Sequence, residues 1–322
     1  MVHAPPEGAA APTPAAAPTG RAAGPEQMRA RYPDVEGFVE RDGVRVAYEV
    51  YGEGEPTIVL VPTWQIVHSR LWKAQIPYLA RHGRVVTFDA RGNGKSDRPT
   101  VAEAYAEREM AADIVAVMDA TSTRRATLVT LSLGAHRGLI VAAERPDRVE
   151  GLIALGPSLP IGERLPGRPR APFDAVLDTD AGWAKYNEHF WRRDFDGFLQ
   201  FFFSRCFTEP HSTKQIEDCV GWGHEIGAEA LILGQFADGL TAEETFALAA
   251  RVRCPVLVVA GDEDAVTGDG PAIALAAAIP GARFVSIQGG GHIPDARDPV
   301  LTNLLIRDFV AAIHPGFGRR TA

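Results

Sequence analysis

The stretch Thr127-Leu-Val-Thr-Leu-Ser132-Leu-Gly-Ala135 runs an apolar strand into a serine and then directly into a helix. So tight a turn holds the serine in a strained backbone conformation at the carboxyl end of a sheet, with its hydroxyl presented for nucleophilic attack, and it demands small neighbours. Thr130, Gly134 and Ala135 fill the crowded positions, although the usual pattern has Gly where this chain has Thr130. The bland alternative is that Ser132 only caps the following helix. A second stretch, Pro255-Val-Leu-Val-Val-Ala-Gly-Asp262-Glu263-Asp264, reads as a buried strand ending in a turn with three carboxylates. Carboxylates just beyond a strand's carboxyl end sit where sites form in open α/β sheets. A third, Gly289-Gly-Gly-His292-Ile-Pro, presents one histidine from a glycine-rich loop. A lone loop histidine is ordinarily just solvated. Here the order Ser, carboxylate, His, each after a different predicted strand, is one in which a nucleophile, an orienting acid and an imidazole base converge.

These residues need a sheet to position them. Short, nearly continuous apolar runs at 57–61, 84–88, 126–131, 151–155, 255–260 and 283–287 predict strands buried on both faces. Asp42-Gly43, between runs at 37–40 and 44–51, predicts a tight hairpin. Apolar residues recurring at three and four positions predict helices over 70–81, 107–120, 133–144 and 299–313. Strands alternating with helices imply a mostly parallel sheet covered on both faces. The alternation lapses between about Ser158 and Leu240, where the chain turns aromatic and helical, and it resumes at Pro255. That segment is an insertion into an α/β domain, and Ser212-Thr-Lys-Gln215 within it predicts a helix start with a capping box.

Composition narrows the function. With 33 Lys and Arg against 41 Asp and Glu, the net charge is -8, so no basic surplus exists to neutralise phosphates and a nucleic-acid partner is not expected. No apolar run reaches the roughly 18 residues a membrane span requires. The three cysteines, Cys206, Cys219 and Cys254, form no paired motif and suit a reducing cytoplasm. The histidines show no metal-ligand spacing, and Gly94-Lys95-Ser96 lacks the earlier glycine of a phosphate-binding loop, because position 89 is Asp. The Ala- and Pro-rich segment 1–30 is expected to form a flexible tail, its prolines interrupting every candidate signal-peptide core.

Taken together, the three stretches resemble the α/β-hydrolase superfamily from Val35 to Ile313. Asp89-Ala-Arg-Gly-Asn-Gly-Lys-Ser-Asp97 looks like the loop after the family's fourth strand, and Arg145-Pro-Asp-Arg-Val149 like its link to the sixth. The resemblance implies an eight-stranded, mostly parallel sheet with helices on both faces, its core at 31–157 and 244–322, and a helical cap at 158–243. It implies that Ser132 is the nucleophile, His292 the base and Asp264 the acid, since the family places its acid three residues after the glycine ending the strand, here Gly261. Leu133 and Trp64 would supply the backbone donors for a developing oxyanion, although Pro62-Thr63 replaces the His-Gly common in that loop.

The expected activity is hydrolysis of a carboxylic ester through an acyl-enzyme, on a small-molecule substrate and without a cofactor or metal. The same residues also serve acyltransferases, carbon-carbon bond hydrolases and cofactor-free oxygenases on this fold, and a non-catalytic ligand receptor would keep them as well. Dehalogenase and epoxide hydrolase chemistry is disfavoured, because those resembling families need an Asp at the position of Ser132. The insertion is dense in aromatics, and Trp183, Phe190, Trp191, Phe198, Phe202 and Trp222 are candidates for an apolar pocket above Ser132. Such a pocket would prefer uncharged, medium-length or aromatic acyl groups. The alternative is that these side chains form the cap's own core.

Overall fold

The protein is described here by a computed structural model covering residues 31–168 and 171–318, so the tail expected over 1–30 lies outside the described residues. Its strands are β1 (Val35–Arg41), β2 (Val44–Tyr51), β3 (Thr57–Leu60), β4 (Arg84–Phe88), β5 (Ala126–Leu131), β6 (Val149–Leu155), β7 (Val256–Gly261) and β8 (Arg283–Ile287). They form one eight-stranded sheet in the order β1-β2-β4-β3-β5-β6-β7-β8. Only β2 runs antiparallel to its neighbours β1 and β4; every other pairing is parallel. Asp42 and Gly43 join β1 to β2 with φ of 53° and 77°, the left-handed pair that matches a two-residue hairpin to strand twist.

The helices are α1 (Ile76–Leu79), α2 (Glu107–Ala120), α3 (Gly134–Glu144), α4 (Glu188–Arg193), α5 (Phe195–Cys206), α6 (Thr213–Ile226), α7 (Ala228–Gln235), α8 (Ala242–Ala249), α9 (Gly270–Ala278), α10 (Pro294–Arg297) and α11 (Pro299–Ile313). Side chains alternate across the central strands and so divide the core into two faces. Ile58, Leu60, Val129, Leu131, Leu257 and Val259 pack with α1, α11 and the cap aromatics. Val59, Leu128, Val256 and Val258 pack with α2, α3, α8 and α9 on the other face. The cap is therefore continuous with one half of the core.

Several expectations are corrected. The helix expected over 70–81 is a 3-10 turn at Ser69–Ala74 followed by the short α1, because Pro77 has no N–H and its ring collides with a continuous helix before it. The strand at 283–287 is present but not buried on both faces: β8 is the sheet edge, and Arg283 and Phe284 are exposed. The start of α6 falls where Ser212-Thr-Lys-Gln215 places it, yet the capping box does not form. Ser212 Oγ instead donates to Glu209 O and accepts from Arg297 Nε, and the capping box is made by Thr241 and Glu244 at the start of α8. Leu248 and Ala249 of α8 join the sheet's second core face, so a cap boundary at 243 cuts a core helix. Finally, the described residues of the insertion from 158 to 181, that is 158–168 and 171–181, carry no regular helix. They form a strap laid against the start of α9, where a Cβ on Gly270 would lie 2.2 Å from Glu163 O.

Candidate active site

Ser132 follows β5 directly with φ of 51°, a left-handed conformation that a residue with a side chain adopts only under constraint. Its backbone is held on both sides: its N–H donates to Leu155 O and its carbonyl accepts from the N–H groups of Ala135 and Ser158. Thr130, where the usual motif has Gly, is fully buried and donates to Ile153 O at 3.0 Å. Its methyl fits because residue 138 on the facing α3 has no side chain: a Cβ there would lie 2.5 Å from Thr130 Cγ2. The glycine displaced from one side of the contact has a counterpart on the other.

Asp264, after β7, is buried and surrounded by donors. Oδ1 accepts from the N–H groups of Val266 (2.7 Å) and Thr267 (3.0 Å), and Oδ2 from Thr267 Oγ1 (2.8 Å). Burial opposes the charge, but the His292 imidazole and the Thr267 and Val266 amides outweigh it and hold the carboxyl below the usual carboxylate range. An ionised Asp264 can only accept, so His292 Nδ1, 2.7 Å from Oδ2, carries the proton and donates. That tautomer leaves Nε2 as the acceptor, 2.8 Å from Ser132 Oγ. The structure thus brings Ser132, His292 and Asp264 into one hydrogen-bonded chain. Asp262 lies outside it, exposed, and accepts from Gly289 N at the base of the histidine loop.

The loop after β3 is clamped although it lacks His-Gly. Arg137 of α3, paired with Glu107, donates to Pro62 O (3.1 Å) and Thr63 O (2.7 Å), while Asn93 Nδ2 donates to Gln65 O. In a planar trans peptide the N–H points opposite the carbonyl, so the Trp64 N–H is turned away from Arg137. Among the described residues neither the Trp64 nor the Leu133 N–H has an acceptor within the protein. In the Gly94-Lys95-Ser96 segment, Ser96 Oγ donates to Asp89 O and accepts from Ala47 N.

The aromatic residues distribute differently from the expected pocket. Trp191, Phe198 and Phe202 are buried with Trp64 and Tyr186 in a single ring cluster, with centroids 4.4–6.3 Å apart, and Phe190 is buried beside them. Trp222 lies apart from that cluster, against His68 and Lys73. None of the six candidates lines the cavity of about 470 Å³ that opens at the elbow; its walls are Leu133, His136, Ser158, Leu159, Pro160 and the segment from Arg164 to Arg168 of the strap, Val266, Thr267 and Pro271. Trp183 alone reaches a neighbouring cavity of about 200 Å³, shared with Arg168 and Tyr186. Sequence reasoning also missed the lacing of the cap to the site. Cys206 O at the end of α5 accepts from His292 N (2.9 Å), Glu209 accepts from Gly291 N (2.8 Å), and Thr208 Oγ1 donates to Glu263 O (3.2 Å). No periodicity or motif signals those contacts.

A strained serine at the end of β5, with an acid and a histidine delivered by the turns after β7 and β8, defines the hydrolase class of doubly wound proteins. A family model described as alpha/beta hydrolase fold matches residues 56–294, and the chain belongs to that family. The RutD protein of Klebsiella pneumoniae strain 342, provisionally named a carbamate hydrolase, is 27% identical over 244 residues, 76% of this chain and 87% of its own length. Epoxide hydrolase B of Mycobacterium tuberculosis is 36% identical over 128 residues, covering 37% of this chain and 35% of its own. Among solved structures, Est816, described as an N-acyl homoserine lactone degrading enzyme, superposes with a TM-score of 0.68 at 28% identity, over 85% of this chain and 100% of its own. Among the described residues no helix is long and apolar enough to cross a membrane, and no group of His, Cys, Asp and Glu could hold a metal ion.

Proposed function

We propose that the protein is a serine hydrolase that cleaves carboxylic esters through an acyl-enzyme. The observation that carries this is the hydrogen-bonded chain from Ser132 Oγ through His292 to Asp264, with heavy-atom distances of 2.8 and 2.7 Å. Ser132 Oγ attacks the acyl carbonyl as His292 Nε2 takes its proton, and Asp264 stabilises the imidazolium and fixes its orientation. The negative charge on the carbonyl oxygen is met by the N–H groups of Leu133 and Trp64. Collapse of the tetrahedral intermediate breaks the ester C–O bond, and His292 returns the proton to the leaving alcohol. Water, deprotonated by the same imidazole, then attacks the acyl-enzyme and releases the acid.

Est816 is described as degrading a lactone and RutD is provisionally named a carbamate hydrolase; lactones and carbamates both carry an acyl carbon open to such attack, which supports the reading. A serine at position 132 disfavours the epoxide chemistry of the Mycobacterium relative. The test is turnover of nitrophenyl esters and simple lactones by wild type and Ser132→Ala. Loss of about 10⁶-fold in kcat, as when the nucleophile of a serine protease is removed, is the expected result; turnover retained in the variant overturns the assignment.

A further inference from the structure

Arg168 is the one residue common to the 470 Å³ cavity at the elbow and the 200 Å³ cavity behind the strap. Its Nη1 donates to Val266 O (2.9 Å), two residues beyond the acid Asp264. Its guanidinium lies over the rings of Trp183 (4.4 Å) and Tyr186 (5.2 Å). Tyr186 is in turn fixed by its hydroxyl donating to Gln235 of α7 (2.7 Å). Among the described residues the guanidinium is therefore held by one hydrogen bond and two ring contacts, which leaves most of its N–H donors without an acceptor there.

The two fully buried guanidinium groups are each paired with a carboxylate, and half-buried Arg84 and Arg297 each make two hydrogen bonds to hydroxyl or carbonyl oxygens. Arg91 is paired with Asp113 and Arg137 with Glu107. Arg192 and Arg193, on the cap, are paired with Glu188, Glu229 and Asp180. Half-buried Arg168 has no carboxylate partner among the described residues. The walls of the elbow cavity add a second guanidinium, Arg164, and contain no Asp or Glu, while burial lowers the pKa of His136 and keeps it neutral. A planar cation lining the cavity beside Ser132, with no anion among the described residues to satisfy it, is built to receive one from the ligand.

We propose that Arg168 is a specificity residue and that the natural substrate carries a carboxylate at the end of the chain remote from the scissile acyl group. This rests on the acyl-ester reading above and reverses the expectation of an uncharged substrate drawn from the aromatic residues, whose rings mostly close on one another.

The test compares nitrophenyl heptanoate with the nitrophenyl half-ester of pimelate, which differ by a terminal methyl against a carboxylate. Wild type should favour the half-ester in kcat/KM. Arg168→Met should raise KM for the half-ester on the order of 10- to 100-fold more than it raises KM for heptanoate, the range of a charge-assisted hydrogen bond. Arg168→Lys, which keeps the charge and loses the fork, should fall between. Free pimelate should competitively inhibit nitrophenyl acetate hydrolysis by wild type and not by Arg168→Met. Equal losses on both esters would show that Arg168 only latches the strap to Val266, and a wild-type preference for heptanoate would overturn the proposal while leaving the hydrolase reading intact. Absence of turnover on every ester would sink the hydrolase reading, and this inference with it.

Discussion

Replacing Gly138 with alanine sets a methyl 2.5 Å from Thr130 Cγ2 and 3.0 Å from Leu152 Cδ1, both on buried strand residues. Leu152 Cδ1 can turn away, but a threonine β-carbon is stiff and Thr130 Oγ1 is tied to Ile153 O. Overpacking of this kind costs about 1–3 kcal/mol, against which alanine in a helix recovers about 1 kcal/mol over glycine. Gly138→Ala alone should therefore destabilise by up to about 2 kcal/mol. Thr130→Ala removes the obstructing methyl and one buried hydrogen bond, at about 1–2 kcal/mol. In the double variant the new methyl has room, so the two changes should couple favourably by about 1–3 kcal/mol. Urea unfolding of the four proteins closes the cycle. Additivity within about 0.5 kcal/mol would refute the claim that Gly138 is what lets this elbow carry threonine.

Asp264→Asn should lower kcat about 10⁴-fold by disturbing the His292 tautomer, whereas Asp262→Asn, whose amide oxygen still accepts from Gly289 N, should cost less than about tenfold; equal losses in an ester assay would misplace the acid. Asp295, fully buried with no hydrogen-bond partner for its carboxyl oxygens from another side chain or loop among the described residues, is pushed up by burial to about 7. The native state then keeps a proton that the unfolded chain has lost, so Asp295 erodes stability as pH rises from about 4 to 7 and no further above that. The gap from 3.8 to about 7 corresponds to at most about 4 kcal/mol, and Asp295→Asn should be relatively more stable at pH 8 than at pH 5 in urea unfolding. The same difference at both pH values would contradict the orphaned carboxyl.

The sheet was legible because strands buried on both faces leave short apolar runs with little polar interruption, and β4 and β5 begin and end where those runs do. Ser132, Asp264 and His292 were legible because turns at strand ends concentrate small residues and polar groups in a fixed chain order. The strap was not. Its Pro, Gly and Arg residues have no period, so nothing in the sequence said that Arg168 would return to the acid turn. Aromatic density drew attention to the cap instead, yet rings spaced for burial against Trp64 and one another read the same as rings spaced around a ligand. The Arg137 clamp escaped notice because a guanidinium bonded to two loop carbonyls carries no local signature.

The central claim is that Ser132 is activated by His292. Exposure to a fluorophosphonate, followed by intact mass and peptide mapping, tests it most directly. One adduct on the peptide containing Ser132, absent in Ser132→Ala and strongly slowed in His292→Ala, is the expected result. No adduct, or one that forms at the same rate without His292, would contradict it.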